Sequence, residues 1–293
     1  MMKLNHGHVQ NRGTPPWLVP PAYRPQIPGY IALDDGTFVR ELRYPFIEPL
    51  IKPKRWAAIA VSGGPTILTT LGQNTGITLA GVDAGDTIVA AVTWGHATIT
   101  LSSITISGES NATLLTARGP NAPDNTRMCL GYLTTVTTGG DKTVTFNMSG
   151  SVVGAGSGFA IAFSGCDQTS ALDSGTDVFA NGTGTSLSVS LTTSVANCAV
   201  VAIAVSNNAD PSAGSGYTSI AVTNNHWNAQ GQYRIDAPSG SQSVTMSTGG
   251  SGAWAIAAAA FKPAGSSNID VAMTGSALTG GSGTQTPGTS VEL

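Results

Sequence analysis

Ala84-Gly-Asp-Thr-Ile-Val-Ala-Ala-Val92 returns about 112 residues later as Ala196-Asn-Cys-Ala-Val-Val-Ala-Ile-Ala204. Each stretch is apolar on consecutive positions, β-branched, too short for a helix and opened by Gly-Asp or Asn. That combination reads as a strand covered on both faces. Two further pairs keep the same order: Thr143-Val-Thr-Phe-Asn-Met148 with Ser243-Val-Thr-Met246, and Ser157-Gly-Phe-Ala-Ile161 with Ser251-Gly-Ala-Trp-Ala-Ile256. The offset shrinks from about 112 to about 95, as loop insertions would cause. The fold class expected is all-β: a two-sheet antiparallel β-sandwich, jelly-roll-like, with an internal pseudo-repeat. Its inner faces should meet at roughly 10 Å.

Outward from these stretches, β-branched or alternating runs bounded by Gly, Asn, Asp or Ser recur from about residue 66. They include Ile77–Leu79, Thr98–Ile106, Cys129–Thr138, Leu187–Leu191, Tyr217–Val222 and Gln232–Ala237. No amphipathic helix is readable. The expected domain is residues 56–263, with halves at about 66–167 and 184–263, and a Gly/Ser/Thr-rich tail at 264–293. Residues 1–55 differ in kind, holding nine of the sixteen prolines and eight of the thirteen Lys/Arg against four acids. Proline fixes φ and pushes its predecessor toward extended geometry, so this segment reads as an extended arm with polyproline character. Within it, Leu33-Asp-Asp-Gly-Thr-Phe38 carries the Asp-Gly signal of a short hairpin. Such an arm cannot bury its own side chains. Trp17, Tyr23, Arg24, Tyr30, Arg40 and Arg43 are therefore its expected partner-binding residues.

Charged residues make up 10% of the chain, well below the roughly 25% usual for soluble domains. A surface of Thr, Ser, Asn and Gly is neutral but hydrated and packs readily against copies of itself, which predicts a homo-oligomer or a component of an assembly. The net charge of −3 argues against nucleic acid as a partner. No apolar run follows Met1-Met2-Lys3, and Ala253–Phe261 is too short to span a bilayer, so neither a signal peptide nor a membrane partner is expected. Cys129, Cys166 and Cys198 are odd in number and lack metal or redox spacing, so free thiols from a reducing cytoplasm are expected. The Asn-X-Ser/Thr triplets at Asn111, Asn147 and Asn181 are chance matches in so Ser/Thr-rich a chain.

Candidates for chemistry are few. His6 and His8 fall in polar spacer, His96 and His226 beside tryptophans, none with a nucleophile or paired carboxylate in local sequence. Asp83 with Asp86, and Asp173 with Asp177, suit turns better than cation sites. Gly154-Ala-Gly-Ser-Gly158 lacks the Lys and following helix of a phosphate loop. No catalytic residue, metal or cofactor is expected, and the chain reads as no enzyme. Among Trp94, Tyr217, Trp227 and Trp254, the loop residues Tyr217 and Trp227 are the candidates for stacking on a host glycan, and Trp254 reads as core.

Together these residues resemble a β-sandwich domain common in tailed-phage virion proteins. The likeness rests on Gly85-Asp86 before an apolar strand, the Gly-flanked Val-Thr-Phe strand, Ala160-Ile-Ala-Phe-Ser-Gly-Cys-Asp167, and Trp254-Ala-Ile-Ala-Ala-Ala-Ala-Phe-Lys-Pro263. Ile269–Gly280 is similar to the Thr-Gly repeats that follow such domains. The resemblance covers roughly 66–285 and departs from the pattern in lacking a Gly-Trp pair after the first loop. It implies a virion protein made in the host cytoplasm. The expected type is capsid decoration or cement, held by its arm to the major capsid protein or to tail and neck proteins. A tail or head-fibre subunit, or a carbohydrate-binding module for the host surface, are the alternatives.

Overall fold

A computed structural model describes residues 30–32, 38–40, 58–116, 118–121, 125–152, 156–173, 177–222 and 228–265, the first two segments, 118–121 and Val222 in backbone only. Two compact units, Met1–Arg55 and Trp56–Leu293, make up the chain. In the first, β1 (Tyr30–Ala32) and β2 (Phe38–Arg40) form an antiparallel ribbon with Tyr30 opposite Arg40, one on either side of the Asp35-Gly36 pair in the chain, which itself lies outside the described residues. Trp17, Tyr23, Arg24 and Arg43 lie outside the described residues, as do the side chains of Tyr30 and Arg40.

In the second unit, strands follow in chain order: β3 (Ala60–Leu68), β4 (Asn74–Val82), β5 (Thr87–Gly95), β6 (Leu101–Ile106), β7 (Thr113–Leu114), β8 (Arg118–Asn121), β9 (Thr126–Leu133), β10 (Gly140–Met148) and β11 (Gly156–Ser164). They make an inner sheet β3-β11-β5-β9-β7, with β8 also on β9, and an outer sheet β4-β10-β6. Then come β12 (Val178–Thr193), β13 (Cys198–Ser206), β14 (Pro211–Ala213), β15 (Thr218–Val222), β16 (Asn228–Ala237) and β17 (Gly240–Phe261), ordered β12-β17-β13-β16-β15 with β14 on β17. Every pairing is antiparallel.

The two halves repeat one pairing scheme. In the first, Val144 faces Ile77 and Ile161 faces Val89; in the second, Val244 faces Val189 and Ala259 faces Val201. The long hairpin β12–β17 does the work of β3–β4 and β10–β11. Its register breaks between Gly184 and Ser186, and its far end folds back. Leu187, Val189, Leu191, Val244 and Met246 thereby cover Val200, Ala202, Ala204, Ile256 and Ala258. One sequence match is corrected by register: Ile161 corresponds to Ala259, not Ile256. A slip of three residues moves a side chain to the opposite face, because strand side chains alternate with period two. Ile161 and Ala259 share one core, and Ile256 belongs to another.

The all-β, antiparallel expectation holds, but two sheets are too few. Strands β5 and β13 are buried along both faces and each needs a cover on either side. Ile88, Ala90, Val92 and Trp94 pack on Leu79, Ile104, Val144 and Phe146 of the outer sheet. From the other face, Val89 and Ala91 join Phe159, Ile161 and Phe163 against Val201, Ile203, Ala257, Ala259 and Phe261. Four layers result, outer–inner–inner–outer, with a core between each neighbouring pair. The inner sheets stack with strand order reversed, β3 against β15, β5 against β13 and β9 against β17, as a two-fold relation between halves requires. One tryptophan fills the same place in each half, but from opposite strands: Trp94 stands opposite Gly156, and Trp254 opposite Ser206.

Candidate functional site

The strands of the outer layers alternate apolar-in, hydroxyl-out. In the second half this sets Thr192 opposite Ser241, Ser190 opposite Ser243, Ser188 opposite Thr245, and Ser186 opposite Ser247, which also faces Ser212 of β14. In the first half Thr143 faces Thr78, Thr145 lies between Gly76 and Thr105, and Asn147 between Asn74 and Ser103. These positions are exposed or half-buried, and none carries a charge. Asn147 Nδ2 donates to Ser103 Oγ at 3.0 Å and Thr105 Oγ1 at 3.3 Å, tying part of the face into a fixed array. Each hydroxyl both donates and accepts, and short side chains lose little entropy on docking. Such faces suit broad, uncharged contact.

Beside the first face lies the strongest polar cluster. Lys142 Nζ donates to Glu109 Oε1 at 2.7 Å, with the two side chains 5% and 1% exposed. Glu109 also accepts from the Thr137 amide (2.9 Å) and hydroxyl (2.7 Å) and from the Thr138 amide (3.2 Å). Burial alone would raise the Glu109 carboxyl. Lys142 and the Thr137 and Thr138 donors outweigh it and hold the group at about 2. In the second half Gln242 occupies the place of Lys142, and its amide donates to Pro238 O at 2.9 Å and Gly240 O at 3.4 Å. Both devices close the turn before the strand.

The other polar candidates also organise loops. Asp86 accepts from the Asp83 amide at 2.9 Å, closing the turn into β5. Asp173 accepts from the Ser194 amide at 2.7 Å and from the Ser194 hydroxyl. Asp177 is buried. Asp167 accepts from the Thr169 and Ser170 amides at 2.8 and 3.0 Å; although burial opposes it, these donors and Lys262 hold its carboxyl below the ordinary range. His96 acts within a turn, and His226 lies outside the described residues. All three cysteines are buried, and burial pushes Cys166 and Cys198 up to about 12.

Trp94 is fully buried, its indole donating to Ile99 O at 2.8 Å. Trp254 packs on the third core over Gly182, where an added Cβ would meet Trp254 Cζ2 at 2.7 Å. Tyr217, half-buried, packs on the same core; burial raises its phenol against the opposing effect of Arg234. Its neighbour Thr218 is aligned through Tyr233 with Val201, five strand residues from the Ser206–Trp254 pair. That is about 16 Å, so Tyr217 and Trp254 do not form one platform. Trp227, which follows β15 and precedes β16 in the chain, lies outside the described residues.

Among the described residues no three His, Cys, Asp or Glu side chains gather as metal ligands. No helix there is long and apolar enough to cross a membrane. The Glu109–Lys142 pair has no local sequence signal, since its partners stand 33 residues apart. The hydroxyl faces do have one, in Ser186-Leu-Ser-Val-Ser-Leu-Thr192. Compared with family models, curated proteins and solved structures, the chain matches none of them.

Proposed function

We propose that this chain is a non-enzymatic structural protein of a tailed-phage virion, of the capsid decoration or cement type, attached through its N-terminal arm. The observation that carries the reading is the pair of uncharged, hydroxyl-lined faces on the outer layers of both halves. A soluble catalyst has no need of two such faces, whereas a subunit wedged among others gains from surfaces without charges to desolvate. The sequence resemblance across 66–285 and the basic, proline-rich arm support the same reading. Deleting residues 2–55 tests it. The truncated chain should keep its β-rich circular dichroism and cooperative melt yet fail to enter particles, while the full chain is present in many copies per particle. Normal incorporation of the truncated chain would sink the anchoring role. A handful of copies per particle would favour a tail or head fibre over decoration of the shell.

A further inference from the structure

The outer layer of the second half ends at Ser186-Leu-Ser-Val-Ser-Leu-Thr-Thr193, the distal part of β12. On one side it pairs with β17, from Ser186 opposite Ser247 to Thr193 opposite Gly240, with no shift of register. Among the described residues no strand pairs with its other side. Alternate residues of a strand direct their backbone N–H and C=O groups to opposite sides, so this edge presents a row of both. The stretch carries no charge, no proline and no residue of positive φ. The other outer-layer edges are blunted. In the first half β4 holds the matching place, and a bulge interrupts it where Gly140 faces Val82 but Lys142 faces Leu79. Gly81 in that bulge has φ 68°, and its amide donates to the Asp141 carboxylate at 3.0 Å. After β6 the chain turns back on it, with the Ala112 amide donating to Ile104 O at 2.9 Å. β14 is 3 residues long and begins at Pro211, directly after Asp210. Bulges, charges, proline, short length and covering chain are the means by which edges are kept from pairing. Ser186–Thr193 has none of them among the described residues.

Its sequence also reads alike in both directions. About Val189 stand Ser188 and Ser190, then Leu187 and Leu191, then Ser186 and Thr192. An antiparallel strand of the same sequence, related by a two-fold axis at Val189, therefore sets valine opposite valine, leucine opposite leucine and hydroxyl opposite hydroxyl. Leu187, Val189 and Leu191 are buried and the residues between them exposed, so this pairing continues the apolar row beneath and the hydroxyl row above. No like charges meet. We propose that a second copy of this chain adds to this edge, β12 against β12, antiparallel about Val189, and joins two outer layers into one sheet. Main-chain hydrogen bonds supply the attraction, and the in–out alternation fixes the register. The inference rests on the strand edge and holds whether or not the chain belongs to a virion.

Sedimentation velocity of the full-length protein across a dilution series tests it. The native protein should be a dimer at high concentration. Ser188 of each copy faces Ser190 of the other, so Ser188→Lys combined with Ser190→Lys sets like charges against each other at two places. Association should then weaken about tenfold or more. Both positions are exposed, so circular dichroism and the melting temperature should stay as they were. Ser188→Lys combined with Ser190→Glu turns the same two contacts attractive and should restore the dimer. A register slipped by two residues would set one of those charges against its own like, and association would not return. A native protein that is monomeric at every concentration would overturn the proposal, whether solvent or another part of the same chain covers the edge. So would a dimer indifferent to the first double change, or one that the second fails to recover.

Discussion

Replacing Glu109 by Gln should remove stability in a pH-dependent way. The carboxyl is held at about 2 against an ordinary 4.5. At about 1.4 kcal/mol per unit, that difference is on the order of 3 kcal/mol of folding stability. Ser107, Gly108, Thr137 and Thr138 around the pair are exposed, so water lies one residue away and the figure is a ceiling. Because the folded value is depressed, the contribution is complete above the unfolded value near 4.5 and is lost as pH falls toward 2. Urea unfolding of the full chain, followed by tryptophan fluorescence, should place Glu109→Gln about 2–3 kcal/mol below the native protein at about pH 7. By about pH 3 that gap should shrink by about 2 kcal/mol, because the native protein has lost most of the advantage. Adding Lys142→Gln should recover part of the loss, since it removes the stranded ammonium and copies the neutral Gln242 arrangement. A gap under about 0.5 kcal/mol at neutral pH, or one constant across the titration, would refute the reasoning.

Two further outcomes test the packing. Gly231 lies on β16 where an added Cβ would meet Phe159 Cε1 at 2.5 Å and Ile220 Cβ at 3.1 Å, so Gly231→Ala should cost about 2–3 kcal/mol in a thermal melt. Phe159→Leu in the same chain should make the pair less costly than the sum of the two single changes. Cys129, Cys166 and Cys198 are all buried, two of them with thiols raised to about 12. A disulfide reagent at about pH 8 should find none in the folded protein and all of them in denaturant; rapid labelling of the folded chain would contradict the core assignment.

Strand positions were legible because period-two alternation and turn residues are local properties. The runs Thr87–Thr93, Ala199–Val205 and Thr143–Met148 fall within β5, β13 and β10. The duplication was legible too, since its matches sit in strands whose composition is constrained on both faces. Its exact alignment was not. Ile161 resembles Ile256 by eye, but the ladder sets it against Ala259, because hydrogen-bond register, unlike residue similarity, decides which face a side chain occupies.

The hydroxyl-out pattern was written in Ser186–Thr192 and Thr143–Met148. Whether those faces would be covered by another layer depended on where the layers stopped. By itself the amino-acid order determined an antiparallel β-protein of two related halves, poor in charge and preceded by a basic, proline-rich segment. Only the tertiary structure decided that the halves stack as four layers and that Glu109 meets Lys142. Those facts depend on contacts between residues distant in sequence, which leave no trace in local periodicity.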